Sequence, residues 1–407
     1  MRGLVPAHIM AAIEEATGLH MAQMVDLFSG PSTGSILNAA LTRPHRRRPT
    51  EPQYKARQMV KFYEREGHNI FPVDRFREFR GLLHDFNNRT MKISTLGRLM
   101  RHGHYNERNL AACLYALYGD AKLGDSLSSL IIPCYSLGGE NLKVTGEDSA
   151  GNMTTAPIEN NVVIKGGSAL WMKNIREPAA NPKKLKPLEV TLYDAVMASA
   201  AAPSYFPCHD FSAFDPNAER WRTVHGIDGS IFDNPCISWH GAIKPHVPQG
   251  RQPVMITLGT GVSNRAIHKD EWNRFGSLGI VDPANDLPLI NIFFQAPESA
   301  LREVFAEEMG NHLFTFNRSL FEPSSMGEMP SNQIDDASDE QLRRLERFAY
   351  IIIEENRKKF DDLCHLLVKN RDRLHKEQHD FMSTLKRTVH VLSGGALSTP
   401  SKTPEDA

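Results

Sequence analysis

The sequence predicts a layered α/β domain with a mostly parallel sheet, followed by a helical C-terminal region. Short apolar runs typical of buried strands alternate with helical patterns up to about residue 262, and glycines follow several of these runs. Beyond residue 265 the pattern changes to long amphipathic helices. Alternation of strands and helices favours a parallel sheet covered by helices.

The first elements are a helix, a strand and a second helix. "LVPAHIMAAIEEATGLH" has helical apolar spacing, with Pro6 in its first turn and Gly18 at its end. "MVDLFSG" (24–30) reads as a short strand, and "TGSILNAALT" (33–42) is helical again. Ser32 therefore lies on a strand–turn–helix.

Further strands and one small-residue helix continue the α/β pattern. Residues 54–118 are predicted to be mostly helical, and the helix at 191–207 is broken by Pro203. Strands are predicted within 127–137, 160–166, 222–228 and 253–261.

The C-terminal region divides into helices and a tail. A long amphipathic stretch (335–378) predicts two helices, with Ser338 as the N-terminal cap. The last stretch has too little apolar surface to fold. We therefore expect a domain over 1–262, a mainly helical region over 263–392 and a flexible tail over 393–407.

Composition excludes several classes of protein. The chain has 407 residues, 41% of them apolar and 23% charged, and a formal net charge of −1, so no global field attracts nucleic acid or an anionic membrane. Its five cysteines are widely spaced, which favours reduced thiols and no metal site. Without a leader or an apolar run of about 20 residues, we expect a cytoplasmic protein, at most peripheral to membranes.

The stretch "GPSTG" matches the G-x-S-x-G pattern of a nucleophile elbow. Gly30, Pro31, Thr33 and Gly34 surround Ser32 between the predicted strand and helix, which is the context that this motif requires. A tight turn there projects the serine hydroxyl from the sheet, and the helix N-terminus adds a partial positive charge. The alternative is a glycine-flanked turn with a capping serine.

A serine nucleophile needs a base, and the sequence offers two kinds of candidate. Many histidines follow Ser32 in the sequence, but none lies in a stretch typical of a catalytic loop. Asp228 ends a strand-like run and is followed by Gly229, so its carboxylate can face the elbow, and partial burial would raise its pKa. The alternative for Asp228 is a simple Asx turn.

Taken together, these stretches resemble the patatin-like phospholipases. The matching segments occur in family order from residue 2 to residue 338: "RGLVPAHIM", "DLFSGPSTGSI", "ASAAAPSYFP", "DGSIFDNP", "ITLGTG" and "IDDAS". The resemblance implies a three-layer α/β/α fold that hydrolyses acyl esters of lipids with a Ser–Asp dyad, without a catalytic histidine, metal or cofactor. Ser32 would be the nucleophile and Asp228 the base.

The resemblance also implies a phospholipid or other acyl-lipid substrate, transient contact with a membrane surface and no nucleic-acid partner. One departure is small: the family's Asp-Gly-Gly or Asp-Gly-Ala is here Asp228-Gly229-Ser230. The other concerns the family's glycine-rich oxyanion loop, of which only Arg2 and Gly3 are present.

Loss of oxyanion donors is costly, at about 3–4 kcal/mol for one donor. The backbone N–H groups of Gly3 and Thr33 would supply part of the hole. Two explanations stay open: the native chain begins upstream of Met1, or the protein has lost its activity. The alternatives to a lipid acyl hydrolase are accordingly an inactive lipid- or partner-binding protein and an effector that needs an activator.

Two further stretches have alternative interpretations. The basic cluster "RPHRRRP" (43–49) is either a solvated surface at the end of the helix after Ser32 or a site for lipid headgroups. The aromatic stretch "PLINIFFQAPES" (288–299) is either plain core or a cover for an acyl channel.

Overall fold

The structure is a computed structural model that describes most of the chain. The described residues are 1–71, 105–138, 142–147, 153–157, 166–175, 186–203, 205–217, 219–263, 266–270, 272–274, 280, 288–333 and 335–392. The predicted strand at 160–166, except for its last residue, and the predicted tail at 393–407 lie outside them.

Helices occur along the whole described chain. They are α1 (Leu4–Thr17), α2 (Met21–Met24), α3 (Thr33–Thr42), α4 (Ala56–Ile70), α5 (Glu107–Tyr118), α6 (Leu192–Ser199), α7 (Pro235–Ser238), α8 (Pro288–Met309), α9 (Asp339–Glu355) and α10 (Arg357–Leu392).

Strands form one five-stranded sheet and several two-stranded ones. They are β1 (Leu27–Ser29), β2 (Pro44–His45), β3 (Arg48–Pro52), β4 (Ser129–Ser136), β5 (Leu142–Glu147), β6 (Met153–Pro157), β7 (Ser168–Asn174), β8 (His209–Asp215), β9 (Arg220–Asp228), β10 (Met255–Leu258) and β11 (Leu313–Phe316). The pairs β2–β3, β5–β6 and β10–β11 stand apart from the main sheet.

The main sheet brings the ends of β1 and β9 together. Strand β7 pairs with residues 130–136 along one edge of β4, so β1 and β9 must share the other edge. Strand β1 runs parallel to β4 and ends with Ser29 opposite Ile131, whereas β9 runs antiparallel and ends with Asp228 opposite Cys134. A side chain shortly after β1 therefore lies close to the last residue of β9.

Side chains of β4 alternate between two hydrophobic cores. Leu130, Ile132 and Cys134 are fully buried in the main core, and Ile131 points into a second core on the other face. The second core is closed by residues after β9 and on α8: Cys236, Trp239, Phe305 and Met309. Helices thus cover both faces, and the predicted three-layer α/β/α class is confirmed.

The described strands differ from the expected mostly parallel sheet. Strand β4 pairs in parallel with β1, but the pairs β4–β7, β4–β9 and β8–β9 are antiparallel, so the sheet is mixed. Strands β8 and β9 are antiparallel because they are consecutive and joined by a short hairpin connection.

The first helix and the strand after it largely follow the prediction. Helix α1 stops at Gly18, which adopts the left-handed conformation (φ 70°) that glycine favours at a helix end. The strand is shorter than "MVDLFSG", because Met24 ends α2. The N–H of Met21 donates to the Glu14 carboxylate (2.9 Å), a contact between residues seven positions apart that stabilises this extra turn.

The C-terminal helices pack onto the N-terminal part of the chain. Ser338 caps α9 as predicted, accepting a hydrogen bond from the Gln341 N–H (3.2 Å). Leu345, Phe348 and Ile352 of α9 are fully buried in the same core as α1. The division at residue 262 stays a prediction, since the main core contains side chains from both sides of it.

The basic cluster lies on the β2–β3 hairpin, beyond the end of α3 that is distant from Ser32. Residues 46–48 are exposed there, and Arg48 forms an ion pair with Glu51 (2.7 Å). Among the described residues, no helix is both long and apolar enough to cross a membrane.

Candidate active site

Ser32 occupies a strained turn between β1 and α3. Its backbone has φ 54° and ψ −124°, which a residue with a side chain rarely adopts, so the surrounding structure must hold it. The Ser32 N–H donates to the Ser199 carbonyl oxygen (3.1 Å) and lies 3.2 Å from the Ser199 hydroxyl. The predicted strand–turn–helix is confirmed.

Asp228, the last residue of β9, lies next to Ser32. Its residue surface is 1% exposed, and the neighbouring Ser32 side chain acts through hydrogen bonding to lower the pKa of its carboxyl. The carboxylate also accepts a hydrogen bond from the Ser230 N–H (2.8 Å), which is an Asx turn. The two interpretations of Asp228 are therefore compatible, because the Asx turn fixes the carboxylate that contacts Ser32.

Burial sets the acidity of Asp228. Removal from water raises the pKa of its carboxyl to about 6, and hydrogen bonds from Ser230 and Ser32 oppose the rise. The Ser230 hydroxyl is among these donors, and a glycine or alanine at that position would not supply it. At neutral pH the carboxylate is mostly ionised and able to accept a proton.

The end of α6 and the loop after it position both groups. Ser199 holds the Ser32 N–H, and its own hydroxyl donates to the Pro133 carbonyl oxygen. Two residues later, the Ala201 carbonyl accepts from the Asp228 N–H (2.9 Å). The stretch "ASAAAPSYFP" includes these residues, but the sequence does not reveal their role, because no local pattern shows what a backbone carbonyl binds.

Gly229 is required by close packing. A Cβ atom at this position would lie 2.5 Å from the Pro133 carbonyl oxygen, a distance that no side chain tolerates without displacement. The backbone after Asp228 therefore approaches β4 closely enough to aim the carboxylate at the elbow.

Gly3 and Thr33 lie side by side next to the elbow. A Cβ atom at Gly3 would be 2.7 Å from the Thr33 Cβ and 2.6 Å from the Tyr63 hydroxyl. Thr33 begins α3, so its N–H has no acceptor within the helix. The Ser32 N–H is already bonded to Ser199. The N–H groups of Gly3 and Thr33 stay the predicted oxyanion donors.

Several described histidines that follow Ser32 pair with carboxylates other than Asp228. These pairs are His68–Asp339 (3.2 Å), His209–Asp194 (3.0 Å), His225–Asp210 (2.7 Å), His240–Glu308 (2.7 Å) and His268–Asp270 (3.4 Å). Within the part of the chain that the structure describes, no three His, Cys, Asp or Glu side chains are grouped as a metal site would require.

Comparison with known proteins agrees with this geometry. The family model for patatin-like phospholipase matches residues 1–238, more than half of the chain. Patatin-like protein 2 from Arabidopsis thaliana is 24% identical over 317 residues, covering 73% of this chain and 66% of the relative. Patatin-like protein 3 from the same plant is 25% identical over 324 residues, covering 73% and 65%.

The chain belongs to the patatin-like phospholipase family. A more distant relative is Patatin-16 from Solanum tuberosum, 21% identical over 238 residues, which cover 57% of this chain and 47% of that protein. The chain thus spans about two thirds or less of the length of these relatives. Membership of the family agrees with the α/β/α fold of this chain.

Proposed function

We propose that the protein hydrolyses carboxylic esters of lipids, in the manner of a phospholipase A, with Ser32 as the nucleophile and Asp228 as the base. One observation carries the proposal: a serine in a strained turn lies beside a buried carboxyl group, and burial raises the pKa of that group to about 6. Membership of the patatin-like phospholipase family supports an acyl-lipid substrate.

The reaction proceeds in two halves. The Ser32 Oγ attacks the carbonyl carbon of the ester while its proton moves to Asp228, which is close enough to accept it directly. The tetrahedral intermediate then collapses, its C–O bond to the leaving alcohol breaks, and Asp228 returns the proton to that alcohol. Water attacks the acyl-enzyme with Asp228 again as base, which releases the fatty acid and restores the Ser32 hydroxyl.

Backbone donors stabilise the negative charge on the substrate oxygen. The N–H of Thr33 points outward from the start of α3, and Gly3 lies beside it, so both belong to the elbow side that a substrate carbonyl would occupy. The N-terminal end of the α3 dipole adds to this stabilisation.

Contact with a lipid surface fits the exposed part of α8. The first ten residues of this helix carry no charge, and the side chains of Ile292 and Phe293 are 42% and 55% exposed. The second half of α8 is anchored in the core by Phe305 and Met309, so Ile292 and Phe293 lie on a helix that is held in place. The side chains of Ile290 and Phe294 lie outside the described residues.

The decisive experiment compares wild type with Ser32→Ala on a soluble p-nitrophenyl acyl ester and on phosphatidylcholine vesicles. We expect the variant to lose at least a hundredfold in kcat on both substrates. Ser126→Ala is the matched control, because it also removes a serine hydroxyl, one that donates to the Leu123 carbonyl (2.9 Å) and lies away from the elbow. Equal rates for wild type and Ser32→Ala would refute the proposal.

A further inference from the structure

A second set of hydrogen bonds joins β1 to the segment that follows Asp228. The Ser29 hydroxyl lies 3.0 Å from the Ser238 hydroxyl. The Ser238 hydroxyl lies 3.0 Å from each carboxylate oxygen of Asp233. The Trp171 indole N–H donates to the same carboxylate from β7 (3.3 Å).

These groups are shielded from water. Asp233 and Ser238 are 8% and 3% exposed, and Ser29 shares a face of β1 with Leu27, which packs with Trp171 against the second core. Burial raises the pKa of the Asp233 carboxyl to about 7, against the opposing effect of the Ser238 and Trp171 hydrogen bonds. Because buried polar groups are costly to leave unpaired, such a set of bonds is not easily broken.

The two stretches joined here are the ones that carry the proposed dyad. Residues 29–32 hold Ser29 and Ser32, and residues 228–238 hold Asp228, Asp233 and Ser238. The second stretch is internally rigid, since the Asp233 N–H donates to the Gly229 carbonyl (2.9 Å) and a four-residue helix ends the stretch at Ser238. The second stretch therefore contacts residues 29–32 at both of its ends.

We propose that Asp233 is a positioning residue: through Ser238 and Ser29 it ties the stretch that begins with Asp228 to the strand that carries Ser32. We call the bonds Ser29–Ser238–Asp233 the Asp233 tether. The inference rests on the proposed function, because it assigns the tether the task of keeping the Asp228 carboxylate within hydrogen-bond distance of the Ser32 hydroxyl.

Proton transfer makes this alignment valuable. A base must lie within about 2.6–3.2 Å of the oxygen that it deprotonates, and a displacement of about 1 Å can cost on the order of a hundredfold in rate. The covalent path between the two stretches runs around the whole sheet, so it does not fix their spacing. The loop at Ser199 and Ala201 holds their backbones on one side, and the tether holds them through side chains in the second core.

The tether works with either protonation state of Asp233. An ionised carboxylate accepts from Ser238, whereas a protonated one donates to Ser238, which then donates to Ser29. An asparagine at this position would offer its oxygen to Trp171 and its amide N–H to Ser238, which preserves every link. An alanine would remove them.

The test measures ester hydrolysis and amide hydrogen exchange on the full chain. Ser29→Ala cuts the link to β1 and leaves the Asp233–Ser238–Trp171 contacts in place. We expect kcat to fall about tenfold with KM unchanged, and the amides of residues 229–234 to exchange faster. Asp233→Ala should lower kcat and accelerate amide exchange more than Ser29→Ala does, and Asp233→Asn should keep near wild-type kcat. Ser126→Ala serves again as the control.

The outcomes separate the tether from the dyad. Wild-type kcat and wild-type exchange in Ser29→Ala would overturn the tether, even where Ser32→Ala is inactive. A loss of kcat in Asp233→Asn as large as in Asp233→Ala would overturn it too, because the amide preserves the links. Hydrolysis that survives Ser32→Ala would instead refute the proposed function, and with it the task assigned to the tether.

Discussion

Replacement of Asp228 by asparagine separates the stability of the fold from its proposed activity. The folded carboxyl has a pKa of about 6, whereas its ordinary value is 3.8. Between these two values the folded chain binds more protons than the unfolded chain, so stability falls as the pH rises through this window. The full rise corresponds to about 3 kcal/mol of lost stability above pH 6.

Asparagine has the shape of the protonated acid and does not ionise. The stability advantage of Asp228→Asn over wild type should therefore increase by about 2 kcal/mol between pH 4.5 and pH 8. Asp233, whose pKa burial raises to about 7, is present in both proteins and cancels in the difference. Over the same range the variant should lose ester hydrolysis, because it has no base.

Urea unfolding followed by tryptophan fluorescence measures this difference at the two pH values. Asp362→Asn is the control, since Asp362 is exposed on α10 and should show no pH-dependent gain. A difference between Asp228→Asn and wild type that does not grow with pH would refute the view that burial of the charged carboxylate opposes folding.

Two other predictions concern the residues that follow Asp228. The rate of ester hydrolysis should rise with pH through about 6 as Asp228 ionises. Ser230→Ala should move the midpoint of this rise to higher pH, because it removes a donor to the carboxylate, whereas Ser230→Thr should not move it. An unmoved midpoint in Ser230→Ala would contradict this prediction. Gly229→Ala should cost about 1–3 kcal/mol of stability and most of kcat, because its Cβ meets the Pro133 carbonyl oxygen. Gly166→Ala, which has open space around it, should change neither stability nor kcat. A fully active and stable Gly229→Ala would contradict the close packing.

The elbow could be predicted from the sequence because its determinants are local. Gly30, Ser32 and Gly34 stand between an apolar run and a helical pattern, and the structure has β1 and α3 at those places. The helix stop at Gly18 and the cap at Ser338 are equally local, and both predictions are confirmed.

The contact between Ser32 and Asp228 depends on strand pairing, which no local pattern reveals. Their proximity follows from two different strands sharing one edge of β4. The residue pattern made Asp228 a candidate base beside the alternative of a simple Asx turn, and the family resemblance favoured the base. The loop at Ser199 and Ala201 was missed for the same reason, since its contacts use backbone carbonyls. The mixed sheet also lay beyond pattern reasoning, because strand direction is set by pairing partners rather than by apolar spacing.

Helix α10 reaches back to the start of the nucleophile strand. The Asn370 side-chain amide donates to the Met24 carbonyl (2.8 Å) and the Asp26 carboxylate (3.0 Å), and Arg373 donates to the same carboxylate (2.6 Å). These bonds join residues 344 to 347 positions apart. During synthesis, the stretch before Ser32 leaves the ribosome early but meets these partners only after residue 373 has been made, so its attachment to α10 is a late contact of folding.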